Sequence, residues 1–185
     1  MNKAKSPSSP IKAEVVGVDY HYFISGGISR AESYIDLIDL LYSGKPSDTV
    51  YIHLNTPGGS LVTTVQILNA MAASQANVVT IADGEVASAG TLILLSGATI
   101  AVQPYSWAMF HDGSEGVVGK INENFKQAKF SSQLLRKLYY DIYHPYFSHE
   151  EIDSILNGAD VYMTSDELAS LLKSKEDEKD KDESI

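Results

Sequence analysis

A chain of 185 residues, 44% of them hydrophobic, has the length and apolar content for one domain with its own core, which excludes disorder throughout. Its 14 Lys and Arg against 24 Asp and Glu leave a net charge of -10, the wrong sign for gripping phosphate backbones or anionic lipid, so neither nucleic acid nor a membrane surface is an expected partner. The absence of cysteine excludes disulfides, thiolate metal sites and a Cys nucleophile, leaving fold and chemistry to packing and to oxygen and nitrogen groups.

Residues 1–13 are polar, carry Pro7 and Pro10, and lack the apolar stretch of a secretory signal, so they read as a mobile tail. No later segment offers the ~18 consecutive apolar residues needed to span a membrane, and the expectation is a soluble, cytoplasmic protein. Residues 15–18 and 22–25 look like short strands, and Gly26-Gly27 then punctuates the chain. Ser29 followed by Glu32 has capping-box spacing and predicts a helix start, with Tyr34, Ile35, Ile38 and Leu41 recurring at helical intervals until Gly44 and Pro46. The apolar run 50–54 is a strand, the Asn55-Thr56-Pro57-Gly58-Gly59 segment a turn, and Leu61, Val65, Leu68, Met71 and Ala72 one face of a second helix. A strand over 78–82 and a helix from near Ser88 to Gly97 follow, then strand candidates at 99–102 and 107–110. A glycine-punctuated stretch, 113–119, leads to a long amphipathic helix over about 120–143, stopped by His144-Pro145. Ser148 and Glu151 repeat the capping-box spacing ahead of a helix closed by Asn157-Gly158. From 173 to 185 the chain is charge with almost no apolar content, which predicts a second mobile tail. Strands separated by single helices imply right-handed βαβ crossovers and a mainly parallel sheet, an α/β domain over 14–172.

Three local features bear on chemistry. Two adjacent glycines, Gly58-Gly59, let backbone N–H groups approach something negative, although many such turns are only turns. Ser88 stands among small residues where a strand gives way to an apolar helix, placed either as a nucleophile near the positive helix end or as an ordinary N-cap. It is not the G-x-S-x-G elbow, because Val86 and Ala87 precede it. His111, at the end of an apolar strand, suits a general base. His21 and His53 lie within strand patterns, and His144, His149, Glu150 and Asp153 lack H-E-x-x-H spacing, so that corner reads as polar surface and no metal is expected.

Taken together, Asn55-Thr56-Pro57-Gly58-Gly59, Ala87-Ser88-Ala89-Gly90 and Met109-Phe110-His111, in that order, resemble the proteolytic subunit of the Clp-type (ClpP) serine peptidases over about 23–172. Asp160 in Gly158-Ala159-Asp160-Val161-Tyr162-Met163 is similar to the family's third triad segment; composition alone does not single it out. The resemblance implies a ClpP/crotonase-like spiral of ββα units with a protruding strand-helix handle at about 114–145. It implies a Ser88, His111, Asp160 triad with backbone N–H groups of Gly59 and Ala89 as oxyanion hole, hydrolysing peptide bonds of unfolded proteins or peptides. It also implies a homo-oligomer of two stacked heptameric rings enclosing the sites, with Ile121, Phe125, Phe130, Leu134, Leu135 and Leu138 of the handle available for contact. Any ATP would be used by a partner Clp-type ATPase unfoldase; this chain has no G-x-x-x-x-G-K-[ST] loop and is expected to bind no cofactor.

The sequence departs from the family pattern in places. His111-Asp112-Gly113 stands for His-Gln-Pro, the chain passes into charge after Leu172, and the N-terminal segment does not look like the loop that meets the unfoldase. A divergent or phage-encoded member is therefore an alternative, as are a crotonase-like acyl-CoA enzyme and an inactive scaffold or regulatory subunit.

Overall fold

The computed structural model describes residues 16–114 and 120–182, the last eight as helix backbone. Strands β1 (Asp19–Ser25), β2 (Thr49–Thr56) and β3 (Asn77–Ala87) are parallel neighbours, joined through α1 (Ile35–Ser43) and α2 (Leu61–Ala73). With 11 residues β3 is long enough to serve two strands on its far edge. β4 (Thr99–Val102) pairs in parallel with its first half and β5 (Trp107–Phe110) with its last turn of chain, Glu85 against Trp107 to Ala87 against Met109. β6 (Val161–Thr164) adds antiparallel to β5 and completes a six-stranded sheet. The helices α3 (Ala89–Leu95), α4 (Ile121–Tyr143), α5 (His149–Leu156) and α6 (Ser165–Asp182) make up the rest.

Period-two alternation builds the core. Val50, Ile52 and Leu54 of β2 are fully buried, while Tyr51 and His53 between them face the other side. Those buried positions join Ile24, Leu37, Leu41, Ile67, Ile93 and Ile155 in one cluster; each fully buried aliphatic side chain stabilises the fold by roughly 1.5–3 kcal/mol. On the opposite sheet face His21 Nδ1 and His53 Nε2 are 2.9 Å apart, and His53 Nδ1 lies 2.7 Å from Asp83. His21 stacks on Tyr51 and Phe23 on His53.

The α/β expectation and the parallel β1 to β5 core hold, and the elements differ in instructive places. Residues 16–18 form no strand: Val18 is held instead by Asp48 and Thr49, and the ladder begins at Asp19. Ser29 does not cap the first helix. Ile28 pairs with Gly59 and the Ser29 carbonyl accepts from Thr63 Oγ1 at 2.7 Å, so the backbone stays extended to Arg30 and a 3-10 turn, Ala31–Tyr34, precedes α1. The capping box at Ser148 and Glu151 forms as its spacing predicts. β6 has no alternating pattern strong enough to announce it; pairing with β5 creates it. The charged run continues as helix α6 to Asp182 rather than as a free tail, consistent with the helix propensity of Lys and Glu. A handle strand at 116–119 lies outside the described residues. Among the described residues no helix is long and apolar enough to cross a membrane.

Asp48, buried at 7% exposure, joins the entry to β1 with the turn before β2. Its carboxylate accepts from the Val18 N–H at 3.1 Å and the Lys45 N–H at 3.0 Å. The backbone donors at Lys45 and then Val18 hold its pKa below the ordinary carboxylate value. A depressed pKa contributes stability that is present above the unfolded value of about 3.9 and is lost as pH falls through the lower folded value. Asp48→Ala is expected to lower the melting temperature by about 3–6 °C at pH 7, with the gap to the parent closing below about pH 4, as followed by circular dichroism across a pH series.

Candidate active site

At the end of β3 the chain must turn out of the sheet into α3, a seven-residue helix whose every residue is buried. Ser88 makes that turn with φ 54° and ψ -126°, the one non-glycine residue of positive φ among the described residues. Such a conformation costs an L-residue roughly 1–3 kcal/mol. It is held by the Ser88 N–H donating to the Met109 carbonyl of β5 at 2.9 Å and by the Ser88 carbonyl accepting from the N–H and Oγ1 of Thr91 at 2.9 and 2.6 Å. The Ser88 hydroxyl makes no capping hydrogen bond. The ordinary N-cap expectation therefore fails, because a cap residue needs an extended φ to bring its oxygen back over the helix.

Each residue of the Asn-Thr-Pro-Gly-Gly turn except Pro57 has a structural task here. Between Leu54 and Thr56 the β2–β3 register slips, and the Asn55 side chain fills the gap, its Oδ1 accepting from the Glu85 N–H at 3.1 Å. Thr56, fully buried, accepts from the Gly58 N–H at 3.1 Å. Gly58, at φ +91°, lies so close to the serine that an added Cβ would stand 2.7 Å from Ser88 Cβ and 2.9 Å from the Ala89 nitrogen. The Gly58 carbonyl and the Ser60 N–H both pair with Ile28 at 2.8 Å, which leaves the N–H of Gly59 between them pointing away from that partner. Ala89 opens α3, so its N–H has no intrahelical acceptor. Neither N–H donates to another group among the described residues, and two free donors beside a hydroxyl are the elements of an oxyanion site.

His111 follows the last residue of β5 and Asp160 precedes the first of β6. Phe110 and Val161 are the terminal pair of that antiparallel ladder, so His111 and Asp160 occupy the next opposed positions. Ala87 pairs with Met109 at the neighbouring strand end. Ser88, His111 and Asp160 are thus gathered at adjoining strand termini. Ser88 and His111 are half-buried and Asp160 is exposed, and among the described residues no hydrogen bond joins the three side chains.

Sequence reasoning missed the residues beneath the site. Helix α4 sends Tyr139 and Tyr143 into the core, with the Tyr139 hydroxyl donating to the His111 carbonyl and the Tyr143 hydroxyl 2.5 Å from Thr91 Oγ1. Burial pushes the Tyr139 phenol up to about 12 and the fully buried Tyr143 phenol well above its usual value, so both stay protonated donors. The four-residue spacing of two tyrosines was the available signal. At the His144, His149 corner, Asp153 accepts from Arg136 at 2.7 Å and from the Tyr140 hydroxyl at 2.8 Å, and its carboxyl is held low by the Tyr140 bond and the Arg136 charge.

Residues 21–170 match the family model described as Clp protease. The ATP-dependent Clp protease proteolytic subunit 1 of Borreliella burgdorferi is 33% identical over 124 residues, 65% of this chain and 63% of that protein. The ATP-dependent Clp protease proteolytic subunit of Bacteroides thetaiotaomicron is 28% identical over 138 residues, 72% of this chain and 59% of that protein. The chain spans less than two thirds of the length of these relatives.

The close approach at Gly58 is open to test. Gly58→Ala places a methyl group inside contact distance of Ala87, Ser88 and Ala89 on a positive-φ backbone and is expected to cost about 2–4 kcal/mol. Gly26→Ala, also at positive φ but with nothing within 4 Å, should cost only about 1 kcal/mol. Urea unfolding of both variants measures the difference.

Proposed function

The chain belongs to the Clp protease family, and we propose that it is a serine endopeptidase acting on unfolded proteins or peptides. Ser88 is the nucleophile, His111 the general base and acid, and Asp160 the carboxylate that orients the imidazole. The observation that supports this most is Ser88 itself. A non-glycine residue kept at φ 54°, its hydroxyl unused by the helix behind it and two N–H groups beside it that donate to nothing among the described residues, is a costly arrangement that a structural turn does not need.

In the reaction His111 accepts the Ser88 proton as Oγ attacks the peptide carbonyl, and the carbonyl oxygen gains negative charge that the Gly59 and Ala89 N–H groups receive. His111 then returns the proton to the departing amine, leaving an ester on Ser88. Water, deprotonated by the same histidine, hydrolyses that ester and restores the enzyme. Asp160 keeps the imidazole in the useful tautomer and stabilises its charged form. Nucleophile, base and oxyanion donors all come from the chain. The relatives are named ATP-dependent; in this reading any ATP is consumed by a separate unfoldase.

We further propose that copies assemble into stacked rings around a chamber. The support is α4, whose C-terminal half is anchored by Leu135, Tyr139 and Tyr143 while Ile121, Phe125 and Phe130 stand 85%, 71% and 66% exposed. Apolar side chains at such exposure on one helix mark a surface that gains from being covered.

Treatment with a fluorophosphonate is expected to place one adduct on Ser88, located by peptide mass spectrometry and absent in Ser88→Ala. His111→Ala should slow peptide hydrolysis by about 10⁴-fold or more. A folded parent protein that takes no label would overturn the peptidase reading, and thermal stabilisation by acyl-CoA in its place would favour the crotonase-like use of the two N–H groups. For assembly, sedimentation velocity should show a large oligomer that Phe125→Glu shifts toward smaller species.

A further inference from the structure

We infer that Tyr139 and Tyr143 are positioning residues for the peptidase, one clamping the segment of the base and the other that of the nucleophile. The inference rests on the assignment of His111 and Ser88 to those roles.

The two tyrosines are one helical turn apart and therefore on one face of α4. Their rings stack with centroids 4.4 Å apart, and Tyr143 also meets Phe110 of β5 edge-on at 5.4 Å. They are 2% and 0% exposed. Buried tyrosines need some partner for the hydroxyl; the partners here are specific. Thr91 commits its hydroxyl proton to the Ser88 carbonyl at 2.6 Å, so in the 2.5 Å contact with Tyr143 the phenol is the donor. A relay runs from Tyr143 through Thr91 to the backbone of Ser88. Tyr139 donates directly to the carbonyl of His111, which lies just past the last ladder pair of β5 and has lost the support of the sheet.

One turn of α4 thus bears on two backbone carbonyls, that of the strained Ser88 through Thr91 and that of His111 directly. The hydroxyl of Thr91, itself held by the Tyr143 phenol, resists relaxation of the first, and the direct bond from the Tyr139 phenol resists swinging of the second. Proton transfer between the two side chains demands placement to a fraction of an ångström, and an error of about 1 Å costs on the order of 100-fold in rate.

The experiment compares Tyr139→Phe, Tyr143→Phe, Thr91→Val and Thr91→Ser with the parent in full-length protein. Active sites are first counted by complete fluorophosphonate labelling, then kcat and KM are measured on a short peptide and expressed per labelled site. Each Tyr→Phe variant is expected to lose about 10-fold in kcat per site with KM within about two-fold. Combining Tyr143→Phe with Thr91→Val should be no worse than Thr91→Val alone, because both break one relay, whereas adding Tyr139→Phe should multiply the loss. Thr91→Ser, which keeps the hydroxyl, should retain activity. If the phenylalanine variants match the parent per labelled site, or differ only in melting temperature or in the number of labelled sites, the tyrosines serve folding alone and the inference falls. If the parent itself is folded but unlabelled at Ser88, the peptidase reading fails, and this inference with it.

Discussion

One hydrogen bond, from the Ser88 N–H to the Met109 carbonyl, holds the site in its shape. Among the described residues β3 is the strand with three neighbours, β2, β4 and β5, and at its end the backbone must leave the sheet and enter a helix that is buried all round. A chain of L-residues does this comfortably through extended or right-handed conformations. Here the bond to Met109 extends the pairing one residue past Ala87 and forces the turn into Ser88 at φ 54°. The strain of roughly 1–3 kcal/mol is offset by the burial of Leu92, Ile93, Leu94 and Leu95 in α3.

Small residues around that point follow from the same constraint. Gly58 and Gly90 are contacts rather than hinges: a Cβ on either would stand 2.7 Å from its neighbour, Ser88 Cβ in one case and Thr56 Cγ2 in the other. Asn55 and Thr56 then satisfy polar groups that the slipped β2–β3 register and the tight turn would leave unpaired, each worth about 1–3 kcal/mol if orphaned. The Gly59 N–H, which donates to nothing among the described residues, is therefore flanked by the Gly58 carbonyl and Ser60 N–H, both bonded to Ile28, which is how a preorganised donor is kept from collapsing onto other acceptors.

Helix α4 divides into two physical regimes. Its C-terminal half is core, with three buried residues, two phenols bonded to the segments of Ser88 and His111, and an edge-on aromatic contact from Tyr143 to Phe110. Its N-terminal half carries Ile121, Phe125 and Phe130 into the open. The helix is thus anchored at one end beneath Ser88 and His111 and is apolar and exposed at the other.

Much of this was legible in the chain. Periodicity located β2, α2, β4, β5 and α4 because each carries enough apolar side chains on one face to declare its own period. Gly58-Gly59, Ser88 and His111 stood out as residue types in suggestive places, and Asp160 only through resemblance to a family. What the sequence did not contain is anything that depends on distant segments meeting. The loss of a Ser29 cap to Ile28, Gly59 and Thr63, the creation of β6 by β5, and the Tyr139 and Tyr143 bonds to residues 28 and 52 positions away are of this kind. So is the conformation of Ser88, which local propensity opposes. Side-chain period and turn chemistry are properties of neighbouring residues and can be read along the chain. Strain and long-range hydrogen bonds are sustained only by the packed whole, and the geometry on which the chemistry turns was decided there.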